Sequence, residues 1–168
     1  MYRSLVLMAL CTFLGACNRP PPDPETEVRR ALADLEEAVE EQSISRIKEH
    51  LAASYHDHWG HDKRAVIGQL QLRFLQRRAI HAWSTIRDIE LSPDNRSAEV
   101  LFFVAVGASP IAGIEALQDL RGDLLRMELH LIRDDDRWVI DRNRWRRARF
   151  SELVDPDQRL DVPAPGDE

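Results

Sequence analysis

"LLRMELHLIRDDDRWVIDRNRW", Leu124 to Trp145, reads as two strands joined by a charged turn. Leu125, Met127, Leu129 and Leu131 alternate with Arg126, Glu128, His130 and Ile132. That period of two belongs to a strand with one face on a core. The aspartates Asp134 to Asp136 supply a turn, and "RWVIDRNRW" returns as the partner strand. Upstream, "SAEVLFFVAVG" from Ser97 to Gly107 is apolar on both faces, which predicts a central strand covered on both sides. Before it, Ile80, Ala82, Ser84 and Ile86 alternate with polar or aromatic neighbours, and the phase shifts ahead of Ile89 and Leu91. A shifted phase predicts a bulge in a long bent strand. "SPDN", Ser92 to Asn95, turns between these two strands, and Ala108 to Leu120 is a loop or short helix interrupting the sheet.

The N-terminal half follows a helical period instead. Asp23 can cap a helix with Pro24 in its first turn, and Val28, Leu32, Leu35 and Val39 recur at helical spacing, predicting a helix over 24–41. Ser43 can cap a second, with Ile44, Ile47 and Leu51 on its apolar face. Asp62 can cap a third that buries Val66, Ile67, Leu70 and Phe74 and runs to about Arg78. The order therefore predicts an α+β domain: three N-terminal helices packed on a curved antiparallel sheet of about four strands.

Three stretches carry a family likeness: the helical start, the "DKRAVIGQLQLRF" third helix, and the closing hairpin whose second strand begins at Trp138. Together they resemble the nuclear transport factor 2-like superfamily, a cone-shaped, cystatin-like fold shared with ketosteroid isomerase and polyketide cyclases. The likeness spans roughly residues 24–149. "SYHDHWGHDKR", Ser54 to Arg64, resembles the Tyr-x-Asp-x-x-Gly turn between helices two and three in bacterial lipoproteins of that superfamily. The resemblance implies a cone with an apolar pocket and no particular activity, because the fold hosts isomerases, dehydratases, hydrolases and non-catalytic modules.

The termini speak to location. "MYRSLVLMALCTFLGAC" places Arg3 before an apolar run from Leu5 to Leu14, a stretch too short to span a bilayer and typical of a cleavable signal. Leu14-Gly15-Ala16-Cys17 resembles the bacterial lipobox, so residues 1–16 read as a signal peptide and Cys17 as the acylated N-terminus. Cys11 leaves with the signal, and no internal disulfide can form. Residues 17–23 form a Pro-rich spacer, and an acidic, Pro-containing tail at 151–168 reads as disordered. One domain, 24–150, lies between. Asn18, where an aspartate would favour the inner membrane, implies an outer-membrane protein facing the periplasm. The chain's formal charge of −6 argues against nucleic acid as a partner.

Chemistry is concentrated in "SYHDHWGHDKR". His56, His58 and His61 are candidate zinc or copper ligands, with Asp57 and Asp62 nearby. The competing reading is a turn: Asp57 bonds backbone amides, Gly60 takes a positive φ, Tyr55 and Trp59 pack on the helices, and the histidines face solvent. For an enzyme, His81, Trp83 and His130 are the strand residues able to line a pocket. No nucleophile, phosphate loop or metal set is recognisable, so no cofactor is expected. "RNRWRRAR" offers a patch of Arg142, Arg144, Arg146 and Arg147 that can meet phosphates or carboxylates, or else pair with acidic segments of the same chain. The expected function is a membrane-anchored, non-catalytic module of the cell envelope that binds a protein or small apolar ligand. The alternatives are an isomerase or hydrolase using the cone pocket, and metal binding at the histidine turn. The doubly apolar Ser97–Gly107 strand also makes a sheet-to-sheet homodimer plausible.

Overall fold

Asp23 caps the first helix as its position promised, its carboxylate accepting the Thr26 amide at 3.4 Å, with Pro24 at the first helical position. The structure, a computed structural model, describes residues 22–76, 79–118 and 122–154. The expected signal peptide, Cys17 and most of the expected spacer lie outside them. Helix α1, Pro24–Glu40, buries Val28, Leu32 and Ala38. Gln42, at φ 54°, turns the chain into α2, Ile44–Glu49. Ser43 holds the N-cap position without a capping bond, and its hydroxyl meets that of Ser45 instead.

Leu51 does not continue this helix. It opens a strand, β1, Leu51–Asp57, which corrects the expectation that placed Leu51 on α2 and Ser54 to Asp57 in a turn. α3, Lys63–Gln76, follows, with Ile67 buried and Val66, Leu70 and Phe74 partly buried against the core. Arg77 and Arg78, its expected end, lie outside the described residues. The remaining strands are β2, His81–Leu91, β3, Ser97–Gly107, β4, Gly122–Asp134, and β5, Arg137–Arg147. They form one five-stranded sheet in the order β1-β5-β4-β3-β2, where about four strands were expected. The fifth is β1, parallel to β5 at the sheet edge, so the sheet is mixed. Its partner lies far along the chain, and a register shift between Leu51 and His56 breaks the alternation a strand would show locally.

The bulge anticipated in β2 falls between Ile86 and Asp88, and a second lies between His130 and Leu131 of β4 against β5. Bulges bend and twist a sheet, which lets this one curve around its helices. Register separates its two faces. Ala98, Val100 and Phe102 of β3, Leu129 and Leu131 of β4, and Trp138 and Ile140 of β5 face the helices in the main core. Phe103, Ala105 and Leu124 face the other way and form a second core with Leu117 and Leu153.

That second core is closed by the chain itself. Leu117 belongs to a short 3-10 helix, Ile114–Leu117, in the segment between β3 and β4. Leu153 belongs to α4, Phe150–Val154, where the tail was expected to be disordered from Ser151. Phe150 and Leu153 supply apolar contacts that an average over the acidic tail conceals, and residues 155–168 lie outside the described residues.

Candidate functional site

The buried carboxylate of Asp57 is the centre of the polar chemistry. Tyr55 and Asp57 turn inward from β1 while His56 turns out, and Asp57 is 5% exposed. It is the one buried polar or charged residue among the described residues. Beyond it the chain reverses through Gly60, whose φ of 83° is costly for any other residue and whose amide donates to the Asp57 carbonyl at 3.0 Å. Asp57 Oδ1 accepts the Trp59 amide at 2.9 Å and the His61 amide at 2.8 Å, and Oδ2 accepts from His61 Nδ1 at 2.9 Å. Burial works to raise the Asp57 pKa, but these hydrogen bonds outweigh it and hold the carboxyl below its ordinary value. Asp62 then caps α3, accepting the Ala65 amide at 2.8 Å.

Beside Asp57 on β5 stands Asn143, its register partner. Burial pushes the Tyr55 phenol up, opposed by the adjacent Asn143 side chain. The buried Asn143 Oδ1 has no hydrogen-bond partner among the described residues. Farther out on this face, Met127, Val104 and Phe74 are only partly buried against the core.

The three turn histidines point to three different partners. His56 Nδ1 lies 3.2 Å from the Ser54 carbonyl, and His61 bonds Asp57. His58 packs against Trp59 and meets the edge of Trp145, with ring centroids 4.6 and 6.0 Å away. Among the described residues no group of three or more His, Cys, Asp or Glu could hold a metal ion. Trp59 is 67% exposed, which corrects its expected packing on the helices.

The strand residues proposed for a pocket lie on the other face. His81, Trp83 and His130 pair with Gly107, Ala105 and Glu99, opposite in phase to the core-facing Val100 and Phe102. Trp83 packs against the second core. His130 Nδ1 lies 3.3 Å from Asp141 Oδ2, and Asp141 Oδ1 accepts the Ser54 hydroxyl at 2.6 Å.

Register also divides the arginine patch. Arg142, Arg144 and Arg146 share the outer face with His130, Glu128 and Arg126, whereas Arg147 falls in the phase of Leu125 and ion-pairs with Asp123 at 2.9 Å. Arg146 grips Glu152 of α4 with two bonds, at 3.1 and 2.7 Å, and the guanidinium holds the Glu152 carboxyl below its ordinary range. Arg142 sits 3.8 Å from Glu99 and 3.7 Å from Asp141. Pairing within the chain thus accounts for three of the four, and of this patch only Arg144 forms no ion pair with the described residues.

Among the described residues, two surface clefts stand out. One, of about 490 Å³, lies between α1, α2 and the β4–β5 turn, lined by Glu27, Arg30, Asp34, Glu49, His50 and Arg137 among others. Burial lowers the His50 pKa there. Glu27 in its wall is committed, accepting from Arg133 at 2.7 Å and from the Trp138 indole at 3.1 Å. The other, of about 560 Å³, lies between α2, β1 and α3.

No family model and no curated relative matches the chain by sequence. Solved structures do match. Aln2 from a Streptomyces species superposes with a TM-score of 0.61 at 11% identity, over 80% of this chain and 96% of that one. A proposed dehydratase of the NTF2-like family from Streptomyces avermitilis gives 0.54 at 17% identity, over 75% and 99%. A protein of unknown function with a cystatin-like fold from Nostoc punctiforme gives 0.54 at 9%, over 74% and 90%. The chain has the nuclear transport factor 2-like fold.

Proposed function

We propose that this chain is a lipid-anchored protein of the bacterial cell envelope whose domain binds a partner instead of turning over a substrate. The observation that carries the non-catalytic part is the commitment of Asp57. Both oxygens of the one buried charged group among the described residues are spent on its own turn, on two amides and one imidazole. Three of its four lone pairs accept from that turn and the fourth is buried with the side chain, 5% exposed, whereas a general base must present a lone pair to the substrate proton. The anchor rests on Leu14-Gly15-Ala16-Cys17, and the spacer with Pro20, Pro21 and Pro22 would hold the domain off the membrane. Asn18 favours the outer membrane and the periplasmic side. The partner is an envelope protein or a small apolar ligand.

Labelling cells with an alkynyl palmitate analogue tests the anchor. The wild-type chain takes up label and sediments with membranes, and Cys17→Ser takes up none; equal labelling of the two would refute lipidation at this residue. Crosslinking of the tagged wild type in membranes, followed by pull-down, then identifies what the domain holds.

A second reading, an enzyme of isomerase or hydrolase type, draws on one feature. His61 Nδ1 is fixed by Asp57, which leaves Nε2 free on a side chain that is 39% exposed. Such a pair could move a proton at the edge of the cone, close to the unpartnered Asn143 oxygen. Loss of a cellular phenotype in His61→Ala, with folding and membrane attachment intact, would favour this reading.

A further inference from the structure

The cleft between α2, the free edge of β1 and the first turns of α3 is unusual in its charge. Its wall carries Lys48, Lys63 and Arg64 with a single carboxylate, Asp62, in a chain of formal charge −6. Asp62 is already occupied in capping α3 through the Ala65 amide. None of the three cations forms an ion pair among the described residues. Lys63 Nζ donates to the Leu51 carbonyl at 2.6 Å, which fixes the ammonium at the cleft and leaves it two further donors.

Room for a ligand comes from Gly68. It sits inside α3, where glycine is a poor helix former, and a Cβ built on it meets nothing within 4 Å. A longer side chain there would project into the cleft it lines. Two ammonium groups and a guanidinium fork suit the oxygens of a phosphate, whereas an apolar molecule would leave three charges to desolvate.

We propose that this cleft binds a phosphate-bearing anion, either free phosphate or the phosphodiester of a lipid headgroup. This site adjoins the Asp57 turn through Asp62, but it shares neither Asp57 nor His61 and does not depend on whether the domain is catalytic. The test uses the full-length chain, labelled with nitrogen-15 in an uncharged detergent, and follows amide shifts as inorganic phosphate or glycerophosphoglycerol is added. Saturable shifts at residues 48, 53 and 62–68 are expected. Tighter binding of phosphate identifies the free anion, and tighter binding of glycerophosphoglycerol identifies a headgroup. Removing two of the three charges in Lys48→Ala/Arg64→Ala weakens either ligand about tenfold. Gly68→Leu abolishes binding by filling the space, without lowering the unfolding midpoint. The absence of saturable shifts with both probes, or an affinity unchanged in both variants, overturns the proposal.

Discussion

The two faces of the sheet are covered in different ways. The inner face is apolar along most of its length and lies under helices that precede it in the chain, with Leu129, Leu131, Trp138 and Ile140 at its heart. The outer face is apolar only around Phe103, Ala105 and Leu124, and there the chain covers itself with a 3-10 helix and α4. Its remainder is charged, with Glu99, Glu128, His130, Arg142 and Arg144 across neighbouring strands. An apolar strand face thus does not by itself call for a second copy. The expected support for a sheet-to-sheet homodimer, the doubly apolar β3, is explained within one chain at Phe103 and Ala105.

Truncation sets the two covers against each other. Leu131→Ala opens a cavity in the main core and is expected to cost about 4 kcal/mol in chemical denaturation. Leu153→Ala, equally buried but in the smaller core, should cost about 2–3 kcal/mol. A negligible loss at Leu153 would mean that α4 does not seal the outer face, and the comparison would fail.

The ion pair holding α4 gives a smaller effect with a pH signature. Glu152→Gln should cost about 1–2 kcal/mol near neutral pH. Because the folded carboxyl titrates below its ordinary value, its contribution is present above about pH 4.3 and is lost as pH falls through the depressed value. The variant should therefore show a shallower acid decline in stability than wild type. His50, under the inner-face helices, acts in the same direction at higher pH. Burial lowers its pKa, so the unfolded chain takes up the proton first, and stability declines as pH falls below about 6.5. His50→Gln should flatten that part of the profile while its backbone carbonyl still accepts the Ile140 amide. At the small end, Arg144→Ala on the charged outer face should stay within about 0.5 kcal/mol of wild type.

What could be read in the sequence follows the same division. β2 to β5, the bulge before Asp88 and the capped starts of α1 and α3 rest on local alternation or local capping, and each is present. β1 was hidden because its hydrogen bonds come from β5 and its alternation is broken before His56. Helix α4 was hidden because two apolar residues sit in an acidic, Pro-containing stretch. The faces of His81 and Trp83 were within reach, since both alternate with Ala82, Ser84 and Ile86. For the site, the Asp57–Gly60–Asp62 turn was readable as residues that bond backbone amides and accept positive φ. The pairing of His61 with Asp57, and the place of Asn143 beside them, required the β1–β5 register.

Asp57 and His61 hold a turn together. Residues kept for catalysis commonly cost stability, and replacing them tends to leave a protein as stable or more so. Residues that satisfy buried amides do the opposite. The direct measurement is the unfolding free energy of Asp57→Ala and His61→Ala at neutral pH. A structural turn predicts losses of about 3 and about 1 kcal/mol respectively. Variants as stable as wild type, or more stable, would contradict it.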